Sequence, residues 1–431
     1  MQRHSILPDG SNQFFWPEAR FFGTFEFENM LLQAEAIGHE LQTCRYSPTF
    51  FDARKPGKEP KLGFWMNGSN LTSRWATLVC NNKHLTNVVL AEQGVPVPRG
   101  RAFPHNAVQP AMAYAKSLNG PFVLKPLAGG GGRAVSVGLN GRDDFIRAHK
   151  LLNPAEDFRV EQHVNGRDHR VLVCDGEVYS VLIRVPANVI GDGVSNVRQL
   201  VEAKNEFRRK NPRYIHSLMS LDDKSVADQL EKQGLSPDSV PNDGQRVAIC
   251  EAANISQGGE SYEVMHETHP SILEFSKSVD RAIGGLGHCG IDLLLNDHTK
   301  PLDSQEHAIC EVNSHAEMGV HCFPTSGEPI YVIAKCFQTI ARRSGLDLAA
   351  KTESTRVVLK ANCLGNPAHF QDWSSQFAEM AGVKISNLGA AQDRVRMTVE
   401  GPVQSVAVFA AKAIAPHQNI PVESVSTTGA D

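Results

Sequence analysis

The spacing of apolar positions changes period many times along this 431-residue chain, and each change marks an element. Phe27–Ile37 carries helical spacing and stops at Gly38, a residue suited to the left-handed turn that closes helices. Short strands are expected at Thr49–Asp52 and Leu62–Met66, on either side of the polar KPGKEPK. Asn82–Gln93 places Leu85, Val88, Val89 and Leu90 on one side of a helix, before Gly94, Pro96 and Pro98. Helical periods return at Pro110–Ser117 and Asp143–Leu152; between them GPFVLKPLAGGGGRAVSVGL reads as two strands around four glycines. Phe158–Val164 is a strand, and Asp175-Gly176 is a hairpin turn within RVLVCDGEVYSVLIRV. Helices follow from about Asn196, at Asp222–Gln233, and from Pro270 to Ile283. His288–Leu295 and Ala308–Asn313 read as strands around a turn-like insert, Asn296–Glu306.

The end of the chain reads strand (Arg356–Ala361), helix (Pro367–Met380), strand (Lys384–Asn387), strand (Arg394–Glu400), helix (Val403–Ile414), strand (Val422–Ser426). That βαββαβ order is the ferredoxin-like arrangement. The expected class is therefore α/β (α+β) in four parts. They are an N-terminal α/β unit over 1–95, a small lobe with the glycine loop over 96–165, a larger lobe over 166–350, and the βαββαβ domain over 355–431.

Composition narrows the classes. Hydrophobic residues at 41% and charged ones at 21% are ordinary for a globular chain, and a net charge of −4 argues against nucleic acid or an anionic membrane as partner. No apolar run approaches the ~18 residues of a membrane helix. The opening MQRHSILPDGSNQFF lacks a secretory signal, and nine scattered cysteines without a CxxC pair read as reduced thiols, so a cytoplasmic setting is expected.

Lys125 ends an apolar strand just before Gly129, Gly130, Gly131 and Gly132. Glycines let several backbone N–H groups converge on one anion, and the lysine adds a fixed charge, a combination suited to a triphosphate. A flexible hairpin would look the same. Glu161 and Asp168 could accept hydrogen bonds from a purine amine and ribose hydroxyls, or be a solvated strand-end acid and a turn aspartate. Glu311 and Asn313 leave one face of their strand, and Asp292 can join them if the strands pair. Two carboxylates and an amide oxygen suit Mg²⁺, although strand-end acids can also face water. His266-Glu267-Thr268-His269 is one residue short of HExxH and reads better as a helix entry than as a zinc site.

These residues resemble the ATP-grasp carboxylate–amine ligases. RVPANVIGDGVSNVRQLVEAKN, NISQGGES, GIDLLL and EVNSHAEMGVHCFPTSGEP are similar to two groups within them. One is the glutathione synthetase domain of bifunctional γ-glutamylcysteine synthetase–glutathione synthetases, and the other is the ATP-grasp part of cyanophycin synthetases. The likeness covers roughly residues 60–335. It implies that Lys83 and Lys125 hold ATP phosphates under Gly129–Gly132 and that Glu161 faces the adenine. The backbone at His163 and Val164 would line the hinge, and Asp168 would take the ribose. Asp292, Glu311 and Asn313 would ligate Mg²⁺, with Mn²⁺ as a substitute, and Arg170, Arg184 and the Asn254/Gly258/Gly259 loop would serve the γ-phosphate and the acceptor substrate. Cys250 stands where those families usually carry an arginine, leaving Arg184 or Arg246 to replace it. The last domain is similar to acylphosphatase, but Gln371 falls near the expected phosphate arginine and supplies no charge. The resemblance implies a ligase joining a small carboxylate and an amine, on amino acids or small peptides, with a homo-oligomer left open. The alternative is an ATP-binding sensor that has lost turnover, motivated by Cys250 and the degenerate last domain.

Overall fold

The computed structural model describes residues 4–6, 10–57, 61–127, 134–364, 367–415 and 420–430. It divides into two compact units, one of residues 1–15, 73–314 and 323–330, the other of 16–72, 315–322 and 331–431.

In the first unit the helix Lys83–Glu92 (α1) starts where Asn82 caps it, the Asn82 side chain accepting from the N–H groups of His84 and Leu85. Strands Gly100–Phe103 (β1), Phe122–Pro126 (β2), Ser136–Leu139 (β3) and Phe158–Gln162 (β4) form an antiparallel sheet in the order β1-β4-β2-β3. Helices Val108–Ser117 (α2) and Gly141–His149 (α3) lay Ala111, Ala115 and Phe145 against Phe103, Phe122, Leu124 and Phe158. The short strand β1, GRAF, has too few alternating positions to be legible in the sequence.

A second antiparallel sheet holds Arg167–Cys174 (β5), Glu177–Val185 (β6), Glu260–Glu263 (β7), His288–Leu295 (β8) and His307–Asn313 (β9), in the order β7-β6-β5-β8-β9. Asp175 and Gly176, both at positive φ, make the tight β5–β6 turn. Val171, Val173, Val181, Ile183, Ile291 and Leu293 point to a core shared with Leu90 of α1 and with Ile272, Val279 and Ile283 of the helix Pro270–Ile283 (α4). Because strand side chains alternate, Asp168, Arg170, Arg184 and Asp292 leave the opposite face. The sheet therefore has one dry face, and its other face carries these charged residues beside buried Leu172 and Leu182. A smaller core lies between β6 and β7 in sequence, where Val189 and Val247 of a two-stranded ribbon pack with Val201 and Leu230.

The second unit is built on eight antiparallel strands, in the order 384–391, 394–402, 354–363, 422–429, 42–47, 50–54, 62–65, 68–69. The first four, with helices Pro367–Ala381 and Val403–Ala413, are the expected βαββαβ arrangement. The sheet continues into the N-terminal segment because Val425, Ser426 and Thr427 pair with Arg45, Cys44 and Thr43. Strand Gln42–Ser47 reads as polar, and its burial rests on side-chain bonds. Thr43 Oγ1 lies 2.7 Å from Thr427 Oγ1, while Arg45 donates to Gln33 Oε1 at 2.9 Å and to the Pro48 carbonyl at 2.8 Å. Helix Thr24–Gly38 packs on Val403–Ala413 within this unit. No helix among the described residues is long and apolar enough to cross a membrane.

Candidate active site

On the small sheet, Lys125 of β2 is the direct register partner of Arg159 of β4, which sets two cations side by side on one face. Glu161, two residues beyond Arg159, leaves that same face and separates them. Its Oε1 lies 2.5 Å from Lys125 Nζ and its Oε2 accepts from Arg159 Nε at 2.8 Å. All three are buried, so each charge depends on the others. Burial presses the Lys125 pKa down, but the Glu161 carboxylate, by charge and hydrogen bond, and Cys310 together turn the net shift upward. Gly100 lies opposite Glu161 in register, and a Cβ there would come within 2.6 Å of both Arg159 Nη2 and Glu161 Cβ. Only a residue without a side chain leaves room for the pair. The cluster extends to α1, where Arg159 Nη1 donates to His84 Nδ1 at 2.8 Å.

Beyond β4 the His163 N–H donates to the Pro121 carbonyl at 3.1 Å, prolonging the strand pairing, and Val164 is buried. Gly129, Gly130, Gly131 and Gly132 lie outside the described residues. The segment before them is fixed at Leu127, whose N–H donates to the Asp157 carbonyl and whose carbonyl accepts from the Lys83 N–H at 3.1 Å.

On the polar face of the large sheet, register brings the expected residues together. Asp168 pairs with Arg184, Arg170 with Asp292, Asp292 with Glu311, and Gly290 with Asn313. Arg184 Nη2 reaches Asp168 at 2.8 Å and Asp292 at 2.9 Å, Arg170 Nη1 approaches Asp292 at 3.1 Å, and Lys83 Nζ reaches Glu311 at 3.2 Å. A bulge after Asp292 leaves Cys310 as the extra residue between Ile309 and Glu311. Burial raises the Asp292 carboxyl, but Arg170 and Arg184 together outweigh it and hold it below the ordinary range. Asp168 is raised, because burial and the Asp292 charge exceed what Arg184 returns. Arg184 is driven upward, its burial outweighed by the two aspartates.

Asn313 Nδ2 is buried without a hydrogen-bond partner, a costly state, while Asp292 Oδ1 meets Arg170 Nη1 at 3.1 Å as an ion pair without hydrogen-bond geometry. Among the described residues no three His, Cys, Asp or Glu side chains form a metal-holding group. The donors available here are two carboxylates and an amide, which fit a hard, partly hydrated divalent cation.

Asn254, Gly258 and Gly259 form a turn apart from these clusters, at the entry to β7. The Asn254 side chain accepts from the Ser256 N–H, and the Gly259 N–H donates to the Asn254 carbonyl at 2.9 Å. Gly258 has φ +95°, and a Cβ there would strike Met219 at 2.4 Å. Arg208 donates to the Gly259 carbonyl at 3.1 Å. The turn leads into Glu260 and Ser261, the register partners of Val185 and Arg184, so it abuts the Arg184 end of β6. At Cys250 no cation is supplied, and Arg246 is exposed on the two-stranded ribbon. Of Arg184 and Arg246, Arg184 is the one that stands with the aspartates.

The sequence reading passed over Arg159 and His84. The two-residue spacing of Arg159 and Glu161 in FRVEQ places both on one strand face, but nothing local points to His84.

No family model matches the chain. It is similar to the cyanophycin synthetase of Geminocystis herdmanii, 34% identical over 270 residues, which are 62% of this chain and 31% of that protein. It is 31% identical over 324 residues to the bifunctional glutathione biosynthesis protein of Mannheimia succiniciproducens, covering 72% of this chain and 42% of that one. The crystal structure of a bifunctional glutathione synthetase from Pasteurella multocida superposes with a TM-score of 0.51 at 27% identity, over 68% of this chain and 41% of that one. The chain spans less than half the length of these relatives. Its relatives are ligases, and its fold is that of the ATP-grasp ligases.

Proposed function

We propose that this protein is an ATP-dependent ligase that joins a small carboxylate to an amine through an acyl-phosphate. The observation that carries this reading is the placement of four cations (Lys83, Lys125, Arg170, Arg184) on polar faces where every one is held by a carboxylate at 3.2 Å or less. A triphosphate is the kind of ligand that can meet such a set, exchanging internal ion pairs for charge-assisted bonds to phosphate oxygens. Lys125 and Lys83 receive the phosphates, and the glycines Gly129–Gly132 would offer them backbone N–H groups. Glu161, with both oxygens already on cations, sets Lys125 rather than reading the adenine directly. His163 and Val164 form the hinge backbone, and Asp168 takes the ribose.

Asp292, Glu311 and Asn313 would hold Mg²⁺, or Mn²⁺ in its place, which when bound neutralises phosphate charge as the phosphoryl group moves. Arg170 and Arg184 stabilise charge on the transferring phosphoryl group, and the Asn254/Gly258/Gly259 turn lies beside Arg184 on the side of the acceptor. The relatives' names point to amino acids or small peptides as substrates. The competing reading, a sensor without turnover, is motivated by Cys250 and the degenerate last domain. Arg184 answers that gap, since it already carries the charge among the aspartates.

The test is ADP release with a panel of amino acids, dipeptides and amines. A pair of substrates that releases ADP and phosphate one for one with amide formed supports the ligase. Tight nucleotide binding with no ADP release across the panel favours the sensor.

A further inference from the structure

We infer that His84 and Arg159 are positioning residues that keep Lys125 available to phosphate. The inference rests on the reading of Lys125 as a nucleotide lysine, and the geometry of one guanidinium carries it. Arg159 is fully buried and donates through three nitrogens to three partners. Nε goes to Glu161 Oε2 at 2.8 Å, Nη1 to His84 Nδ1 at 2.8 Å, and Nη2 to the Pro98 carbonyl at 3.3 Å.

A guanidinium facing a carboxylate ordinarily takes both oxygens in a forked pair. Here two of its nitrogens are held elsewhere, so Arg159 engages Glu161 through one bond, and the second oxygen is left for Lys125 at 2.5 Å. Release Nη1 and the fork can close on Glu161, displacing the lysine that lies directly opposite Arg159 in register.

His84 meets the requirements of the holding group. Arginine has no acceptor, so the contact fixes the ring as neutral, with Nδ1 accepting and the proton on Nε2. Burial first and the Arg159 charge second both press the His84 pKa down, which favours that form. The ring is also fixed in space. Asn82 caps the first turn of α1, and the neighbouring Lys83 ties that turn to the Leu127 carbonyl through its N–H and to Glu311 through Nζ. Two adjacent residues of one helix turn thus reach both sheets.

The experiment compares His84→Leu, which keeps bulk and removes the acceptor, with His84→Asn, whose Oδ1 takes the place of Nδ1. Binding of ATP with Mg²⁺ is measured by calorimetry, KM and kcat are measured in the ADP-release assay, and thermal unfolding is followed in parallel. His84→Leu is expected to raise Kd and KM for ATP about tenfold, the scale of one lost charged hydrogen bond, with kcat within about twofold and the unfolding midpoint little changed. His84→Asn is expected to restore the affinity, and His84→Leu in an Arg159→Met background to add nothing further. Wild-type affinity in His84→Leu, or a loss that Asn does not restore, overturns the inference. Lys125→Met run alongside separates the two failures. If it too binds ATP normally, the phosphate role of Lys125 is wrong; if it alone loses ATP, only the positioning role is wrong.

Discussion

Asp292 and Glu311 face each other across β8 and β9 as direct register partners, yet each carboxylate is held by cations from other elements. Arg170 and Arg184, both from the β5–β6 hairpin, hold Asp292, and Lys83, from α1, holds Glu311. Two like charges directly opposite on a sheet repel. The arrangement is stable here because the hairpin and the helix each bring a positive charge to one side of the pair. Asp292 and Glu311 would hold a divalent cation, whose charge would offset the same repulsion and leave Arg170, Arg184 and Lys83 for phosphate.

The first prediction concerns Lys125. In Lys125→Met the volume is kept and the buried positive charge is lost, leaving Glu161 to Arg159 alone. Affinity for ATP is expected to fall by roughly two orders of magnitude, as a charge-assisted phosphate contact disappears. Calorimetry with ATP and Mg²⁺ measures it directly. Unchanged affinity in a folded variant would mean that β2 and its loop are not the phosphate cradle.

A second prediction follows from His169, on the dry face of the large sheet. The ring is 1% exposed, and burial, with the nearby His298, outweighs the favourable Arg167 carbonyl to bring its pKa down from 6.5 to about 4. The neutral form is therefore preferred in the folded state. Its contribution to stability is fully present above about pH 6.5 and is lost as pH falls toward 4, up to about 3 kcal/mol in all. Urea unfolding at pH 7 and pH 4.5 should show this loss, and His169→Gln should show less of it. An equal loss in the variant would assign the acid sensitivity to other groups.

Where pattern and packing agree, the sequence was a close guide. Pro270–Ile283 and His288–Leu295 begin and end where the apolar period does, because a proline at the first helical position and an unbroken apolar run are decisive locally. The pairing of Asp292 with Glu311 needed only the strand pairing to become real. Arg159 and Gln42–Ser47 were illegible for a shared reason. Each is polar and buried, and decisive partners (His84 and Pro98 for one, Thr427 for the other) lie 61 or more residues away. No local spacing encodes such a bond.

The same long-range pairing governs truncation. Read from the sequence, residues 355–431 form a separable domain. In the structure, strand 422–429 is hydrogen-bonded to 42–47, and the helix Thr24–Gly38 rests on Val403–Ala413. Ending the chain after Lys351 strips both supports from residues 16–72. Limited proteolysis is expected to cut the truncated protein within 16–72 under conditions where the full chain resists. Protection of that segment in the truncated protein would show that the N-terminal strands stand alone. Lys83, Lys125 and Glu311 all lie outside this unit, so the proposed nucleotide groups are not removed by the cut.

The last prediction tests the metal set. Glu311→Gln keeps size and shape while removing one negative charge from a site that must hold a divalent cation against a triphosphate. The neutral amide is a weaker ligand, and the change also releases Lys83 from its ion pair at 3.2 Å. Turnover is expected to fall by roughly two orders of magnitude, in line with lost electrostatic stabilisation of a transferring phosphoryl group. Binding should suffer less, since Lys83, Lys125 and the hinge remain, so the defect belongs mainly to kcat. Asn313→Ala should act in the same direction more mildly, because it removes a neutral donor. The control is Asp297→Asn. Asp297 sits in the loop between β8 and β9, where bonds from Thr299 hold its carboxyl down to about 2, and it touches none of the site's cations. Kinetics across a Mg²⁺ titration decide the matter: near-normal turnover for Glu311→Gln at every concentration would mean that the Glu-Val-Asn strand does not hold the metal.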